Sequence, residues 1–160
     1  MNSFLRYWLP LLLWMLVIFG ASADTQSTEH TSRILEPFLR WLIPNISHRS
    51  IEHVRWVVRK SAHMFEFAIL AWLWWRVLRK PTRHDPRPWS WGPAAGALAI
   101  AILYASADEI HQRFVPNRTP SVRDVCIDTI GAAFALTLVW KVHQWQHRGT
   151  KPIDTRAGNE

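Results

Sequence analysis

Apolar residues along this chain gather into four runs instead of alternating at a strand or amphipathic-helix period. The runs cover Tyr7 to Gly20, Ala62 to Leu78, Pro93 to Ala107 and Val125 to Val142. Each approaches the ~20 residues that carry a helix across ~30 Å of hydrocarbon once its flanks are counted. Inside lipid every backbone N–H and C=O must be paired within its own segment, so helices packed as a bundle are the expected solution. The pattern predicts an all-α protein: a four-helix transmembrane bundle with spans at about 4–23, 60–79, 92–110 and 124–143, forming one domain over 1–145. The first connection contains "SRILEPFLRWLIPN", where Ile34, Leu35, Phe38, Leu39, Leu42 and Ile43 recur at helical spacing. A short interfacial helix in the outer leaflet, lidding the end of the bundle, is expected there. Residues 146–160 are polar and read as a disordered tail.

Composition averages conceal this segregation, since the mean hydropathy is near zero. The eleven tryptophans sharpen it: Trp8, Trp56, Trp72, Trp74, Trp75, Trp89, Trp91, Trp140 and Trp145 sit at or near the ends of the runs, where an indole with one N–H and an apolar body is anchored between dry and wet surroundings. The first run also reads as a signal peptide, with Arg6 before the apolar stretch and Ala21-Ser22-Ala23 as a cleavage site; its length favours a retained helix, with Pro10 kinking its first turns. Charge sets the orientation. "RVLRKPTRHDPR" packs five basic residues into twelve positions between the second and third runs, whereas the first connection spreads its arginines among Asp24, Glu29, Glu36 and Glu52. By the positive-inside rule both termini are cytoplasmic, with the first and third connections outside. The net charge of +7 thus marks membrane flanks and not a nucleic-acid surface. The single cysteine, Cys126, allows no internal disulfide.

That topology carries polar residues from distant parts of the chain to one face. Lys60, His63 and Phe67 share a helix face at i, i+3 and i+7. Asp108, His111 and Gln112 do so at i, i+3 and i+4, with Glu109 beside them, and Asp124 and Asp128 follow at i, i+4. Charges within a span normally face a bundle interior or a wet cavity, so these groups are expected to line an outer polar site. Each also has a purely structural reading: Lys60 snorkelling to the interface, the histidines satisfied between helices, Asp124 stabilising a helix N-terminus. Asp108 and Glu109 stand at a helix C-terminus, where carboxylates oppose the macrodipole, so a partner such as Arg118 or Lys60 is required. No HExxH, paired-cysteine, EF-hand or nucleotide-loop spacing occurs, and neither metal nor cofactor is expected.

The arrangement Lys60-x-x-His63, then Asp108-Glu109-x-His111-Gln112, then Phe114, Pro116, Arg118, Ser121, Asp124 and Gly131 resembles the VanZ-like family of multi-pass bacterial membrane proteins, named for a teicoplanin resistance protein. The similarity covers about Arg59 to Val139, and its "DE-x-HQ-x-F-x-P-x-R" portion is the specific part. The resemblance implies a four-helix protein of the bacterial cell membrane, linked to glycopeptide resistance in its founding member. Phe67 stands where a tyrosine is common and Asp128 where an asparagine is common. Three roles follow for the site. It binds an envelope ligand, such as an anionic lipid headgroup, a lipid-linked cell-wall precursor or a lipoglycopeptide. Alternatively it is catalytic on a lipid headgroup, with His63 or His111 as acid or base, Lys60 and Arg118 holding an anion and Asp108 orienting a histidine. In the third reading it is a buried ion network of a structural membrane partner. The two departures from the family pattern tilt the balance towards binding, because they fall where chemistry would use a hydroxyl or a neutral amide.

Overall fold

The computed structural model describes residues 3–23, 27–82, 85, 87–115 and 121–147, with backbone alone for 23 and 27–32. Five α-helices occur among them and no strand: α1 (Leu9–Ala23), preceded by a π-helical turn at Phe4–Trp8, α2 (Ser27–Leu42), α3 (His48–Arg79), α4 (Trp91–Gln112) and α5 (Val122–His147). Three stretches are long and apolar enough to cross a membrane: Phe4–Ser22, Trp91–Gln112 and Val122–His147. The expected 60–79 segment is the second half of the 32-residue α3. His63, Glu66 and Arg76 interrupt its apolar run, and by composition it does not join the other three. The tail beyond 147 lies outside the described residues.

The start of α1 follows from Pro10. A proline lacks the N–H that would meet the carbonyl four residues back, and its ring crowds that carbonyl. The widened π turn precedes it, and the Arg76 guanidinium donates to the freed Arg6 carbonyl at 3.4 Å. Ser47 caps α3 by accepting the Ser50 N–H, as N-cap serines do. At the other end Lys80 adopts a left-handed conformation, φ 50°, and donates its N–H to the Arg76 carbonyl before Pro81 stops the helix.

Helices α3, α4 and α5 form the centre, with α3 packed most extensively on α5, and α1 lies against α3 and α4. Their inner stripes are legible at helical spacing. On α1 it is Tyr7, Leu11 and Ile18; on α3, Phe67, Leu70, Ala71 and Val77; on α4, Ala94, Ala97, Ala101 and Ala105; on α5, Ala132 and Leu136, all buried. Alanines on α4 let three backbones approach closely, the usual means of helix association where burial of apolar surface gives no advantage over lipid. Gly131 makes the closest approach, since a Cβ there would collide with the Met64 carbonyl of α3. Polar ties fix the register of α1: the Tyr7 hydroxyl donates to the Pro81 carbonyl at 2.9 Å, the Trp14 indole to the Glu66 carbonyl at 3.0 Å, and the Tyr104 hydroxyl to the Met15 carbonyl at 2.9 Å.

The two ends of the bundle differ. At the end holding the chain's start, the α3–α4 connection and the close of α5, Trp75 stacks on Trp89 at 6.0 Å, Trp89 meets His143 edge-on and Trp91 leans on Trp140. Trp75 is therefore a core residue, 7% exposed, and not solely an interfacial anchor; three helices converge there and leave an indole-sized gap to fill. Beside them Asp85 accepts hydrogen bonds from Arg87 at 2.7 and 2.8 Å, which hold its carboxyl at about 2, well below the usual carboxylate range. At the other end α2 packs on the first turns of α3. Leu39 and Ile51 are buried there, and Arg55 donates to Glu36 at 2.7 Å and to Glu52 at 2.7 Å. Ile34, Phe38, Trp41 and Leu42 stay exposed on α2, a broad apolar face beside a charged one.

Candidate functional site

Each central helix changes character at the α2 end of its inner stripe. On α4 the alanine series 94, 97, 101, 105 continues at the same spacing into Asp108 and Gln112, both buried. On α5 Ala132 gives way one turn earlier to Asp128, 3% exposed, and then to Asp124. On α3 Phe67 is preceded by His63 and Lys60 at i−4 and i−7. The polar residues are thus placed by the same geometry that builds the core, and they meet because the stripes end at one level.

Their partners are specific. Lys60 Nζ pairs with Asp124 at 2.5 Å, joining α3 to α5, with side chains 17% and 22% exposed. Gln112 donates through Nε2 to Asp108 at 2.9 Å and to the Ser22 hydroxyl at 3.1 Å, joining α4 to α1. Glu109 accepts the Ser121 backbone N–H at 2.6 Å. Because Ser121 itself caps α5, its hydroxyl accepting the Arg123 N–H at 3.2 Å, the α4 carboxylate that opposes its own helix dipole sits at the positive end of the next helix. Among the described residues Asp108 is met by an amide and Glu109 by a helix N-terminus, while Lys60 pairs with Asp124 and lies within electrostatic reach of Glu109. Arg118 and Pro116 lie outside the described residues. His63 approaches Glu66 at 3.6 Å within α3. His111 turns towards α1, its ring 4.8 Å from that of Phe19, and its Nδ1 has no partner among the described residues. Asp128 lies within electrostatic reach of Asp124, Glu109, Asp108 and Glu66, and its Oδ1 is buried with no hydrogen bond among the described residues.

A model of the VanZ/LLP1 family matches residues 7–143, nearly the whole bundle and every described polar residue of the site. The chain belongs to the VanZ/LLP1 family. No curated protein and no solved structure matches it. Within this VanZ/LLP1 domain, several participants are visible only in three dimensions. Ser22 stands in what reads as a cleavage site, and only the parallel packing of α1 on α4 brings it to Gln112. Phe19 looks like one more apolar residue of its run. Glu66 had a signal: a carboxylate inside an apolar segment, three residues after His63, is itself a functional pointer. Among the described residues no group of three His, Cys, Asp or Glu side chains is placed to hold a metal ion.

Proposed function

We propose that this VanZ/LLP1 protein is a four-span protein of the bacterial cell membrane, with both termini cytoplasmic. Its polar end faces the outside, and there it binds the headgroup of an envelope ligand: a lipid, a lipid-linked cell-wall precursor or a lipoglycopeptide. Lowered glycopeptide susceptibility, the role implied by the family resemblance, belongs to the same proposal, and α2 lies as an interfacial helix beside the mouth. The observation that carries it is Asp128. A carboxyl oxygen buried this deeply with no hydrogen bond among the described residues is costly, and such an atom persists where a ligand donor, an ammonium or hydroxyl, meets it. Binding is favoured over acid–base catalysis because the two groups that would orient a histidine and hold an anion are taken up: Asp108 by Gln112, and Lys60 by Asp124.

The test is Asp128→Leu in purified protein in nanodiscs, probed with a polyprenyl-linked cell-wall precursor and, separately, with a teicoplanin-type lipoglycopeptide. Asp128→Leu should fold as well as the parent, since it removes an unmet polar atom. Affinity for the bound probe should fall at least about tenfold, as expected from a charge-assisted bond of ~1.5–3 kcal/mol. Unchanged affinity, or a variant that no longer folds, would sink the proposal in favour of a structural ion network. Product appearing by mass spectrometry and vanishing in His111→Ala would transfer the site to catalysis.

Orientation is checked independently. In a Cys126→Ala background, single cysteines at Ser47 and Thr82 of intact cells should respond oppositely to an impermeant thiol reagent, Ser47 labelling and Thr82 not. The reverse would place the polar end in the cytoplasm.

A further inference from the structure

A groove of about 1440 Å³ runs along the seam of α3 and α5, away from the polar end. It begins where Gly131 and Met64 touch and continues to the close of both helices. Met64, Ala68 and Trp72 line it on one side and Phe134, Leu138 and Val142 on the other; Arg79, Asp85, His143, Gln146 and His147 are gathered at the far end. The distribution is that of a single-headed amphiphile: an apolar trough with polar groups at one end only.

Its dimensions narrow the occupant. Met64 to Arg79 spans roughly 22 Å of helix at ~1.5 Å per residue, most of the apolar depth of a membrane. The volume exceeds the ~300–1,000 Å³ of small-molecule pockets. Charge narrows it further. Asp85 is matched twice, by Arg87 at 2.7 Å and by Arg79 at 3.5 Å, leaving two guanidiniums against one carboxylate. His143 and His147 stack at 4.3 Å beside them. His143 is oriented by a 3.1 Å contact of Nε2 with the Arg87 carbonyl, and its Nδ1 has no partner among the described residues.

We infer that the α3–α5 groove is a binding site for an anionic phospholipid, its acyl chains lying between the helices and its phosphate at the end lined by Arg79, His143 and His147, in the leaflet on the side where α3 and α5 close. This site is separate from the polar end and does not depend on what binds there. An anionic lipid held here would brace α3 and α5, the two helices whose crossing also positions Lys60 against Asp124.

The experiment uses full-length protein in nanodiscs that carry phosphatidylglycerol with a photoactivatable group near the acyl terminus, compared with phosphatidylcholine bearing the same group. Adducts mapped by mass spectrometry should concentrate on Phe65, Ala68, Phe134 and Leu138. Leu13 and Leu16 of α1, which are equally exposed, should be labelled weakly. Phosphatidylglycerol should be preferred, and His147→Ala should reduce that preference about fivefold, the scale of one lost hydrogen bond to a phosphate oxygen. Ala135→Trp should suppress groove labelling by filling it; Leu138→Trp, at a more exposed position, serves the same purpose should the first variant not fold. Equal labelling of α1 would reduce the groove to ordinary bilayer contact. Chain-to-chain adducts through Phe134 would make it a protein interface, and equal labelling by both lipids would remove the anionic headgroup. Each of these results overturns the inference.

Discussion

Gly131→Ala should destabilise the bundle by about 3 kcal/mol or more, at the upper edge of what overpacking usually costs. The added methyl would meet the Met64 carbonyl and Met64 Cγ, the latter at 2.8 Å. A backbone oxygen inside a helix has no rotamer to move into, so α3 and α5 must separate, and the Lys60 to Asp124 contact is lengthened as well. Two glycines serve as internal controls. At Gly96 the new atom meets only Leu78 Cδ1, at 3.1 Å, the movable tip of an exposed leucine; at Gly20 nothing lies within 4 Å. Gly96→Ala should therefore cost under ~1 kcal/mol, and Gly20→Ala should be neutral or stabilising by ~0.5 kcal/mol through helix propensity. Reversible unfolding in mixed micelles, followed by tryptophan fluorescence, reads the series. Three variants of equal stability would mean that α3 and α5 do not cross at Gly131.

Lys60→Met should cost about 3 kcal/mol, the lower edge for removing one partner of a buried ion pair, because both side chains retain some exposure. The loss comes less from the missing attraction than from what remains. Asp124 would stand without its cation near Glu109 and Asp128, three carboxylates at the polar ends of two helices. The double variant Lys60→Met/Asp124→Leu should recover most of the stability, since it removes both charges together. It should not recover ligand binding, if the pair shapes the mouth of the site. A lysine that merely snorkels would give an unaltered midpoint for Lys60→Met and no coupling in the double-mutant cycle. Lys60→Arg should be intermediate, because a guanidinium keeps the charge but not the compact single-point geometry of the ammonium.

These expectations show where the amino-acid order was informative. The helical class, the apolar runs and the family were legible directly, because the ~20-residue length of an apolar helix and the pairing of every backbone group in lipid leave few alternatives. So was the set of polar residues that share helix faces: 3.6-residue periodicity puts Asp108 and Gln112 on the alanine stripe of α4, and Asp128 on the stripe of Ala132, whatever the partners are. The amphipathic character of α2 was equally plain from Ile34 and Phe38 recurring opposite Arg33 and Arg40.

What periodicity does not carry is which side chain meets which. Lys60 had four carboxylates to choose from, and the crossing of α3 and α5 at Gly131 selected Asp124. Glu109 met the N-terminus of α5 because the start of α5 lies beside the end of α4, which no local rule encodes. Ser22 joined Gln112 only through the parallel docking of α1 on α4. The solitary Oδ1 of Asp128 and the long trough between α3 and α5 are properties of space left between helices. By itself the sequence determined an all-helical chain with membrane-crossing segments, its family and the polar groups available at one end. Only the tertiary structure decided their pairing, the unmet carboxyl and the groove, because these depend on interhelical distances that small residues set by how near they let two backbones come.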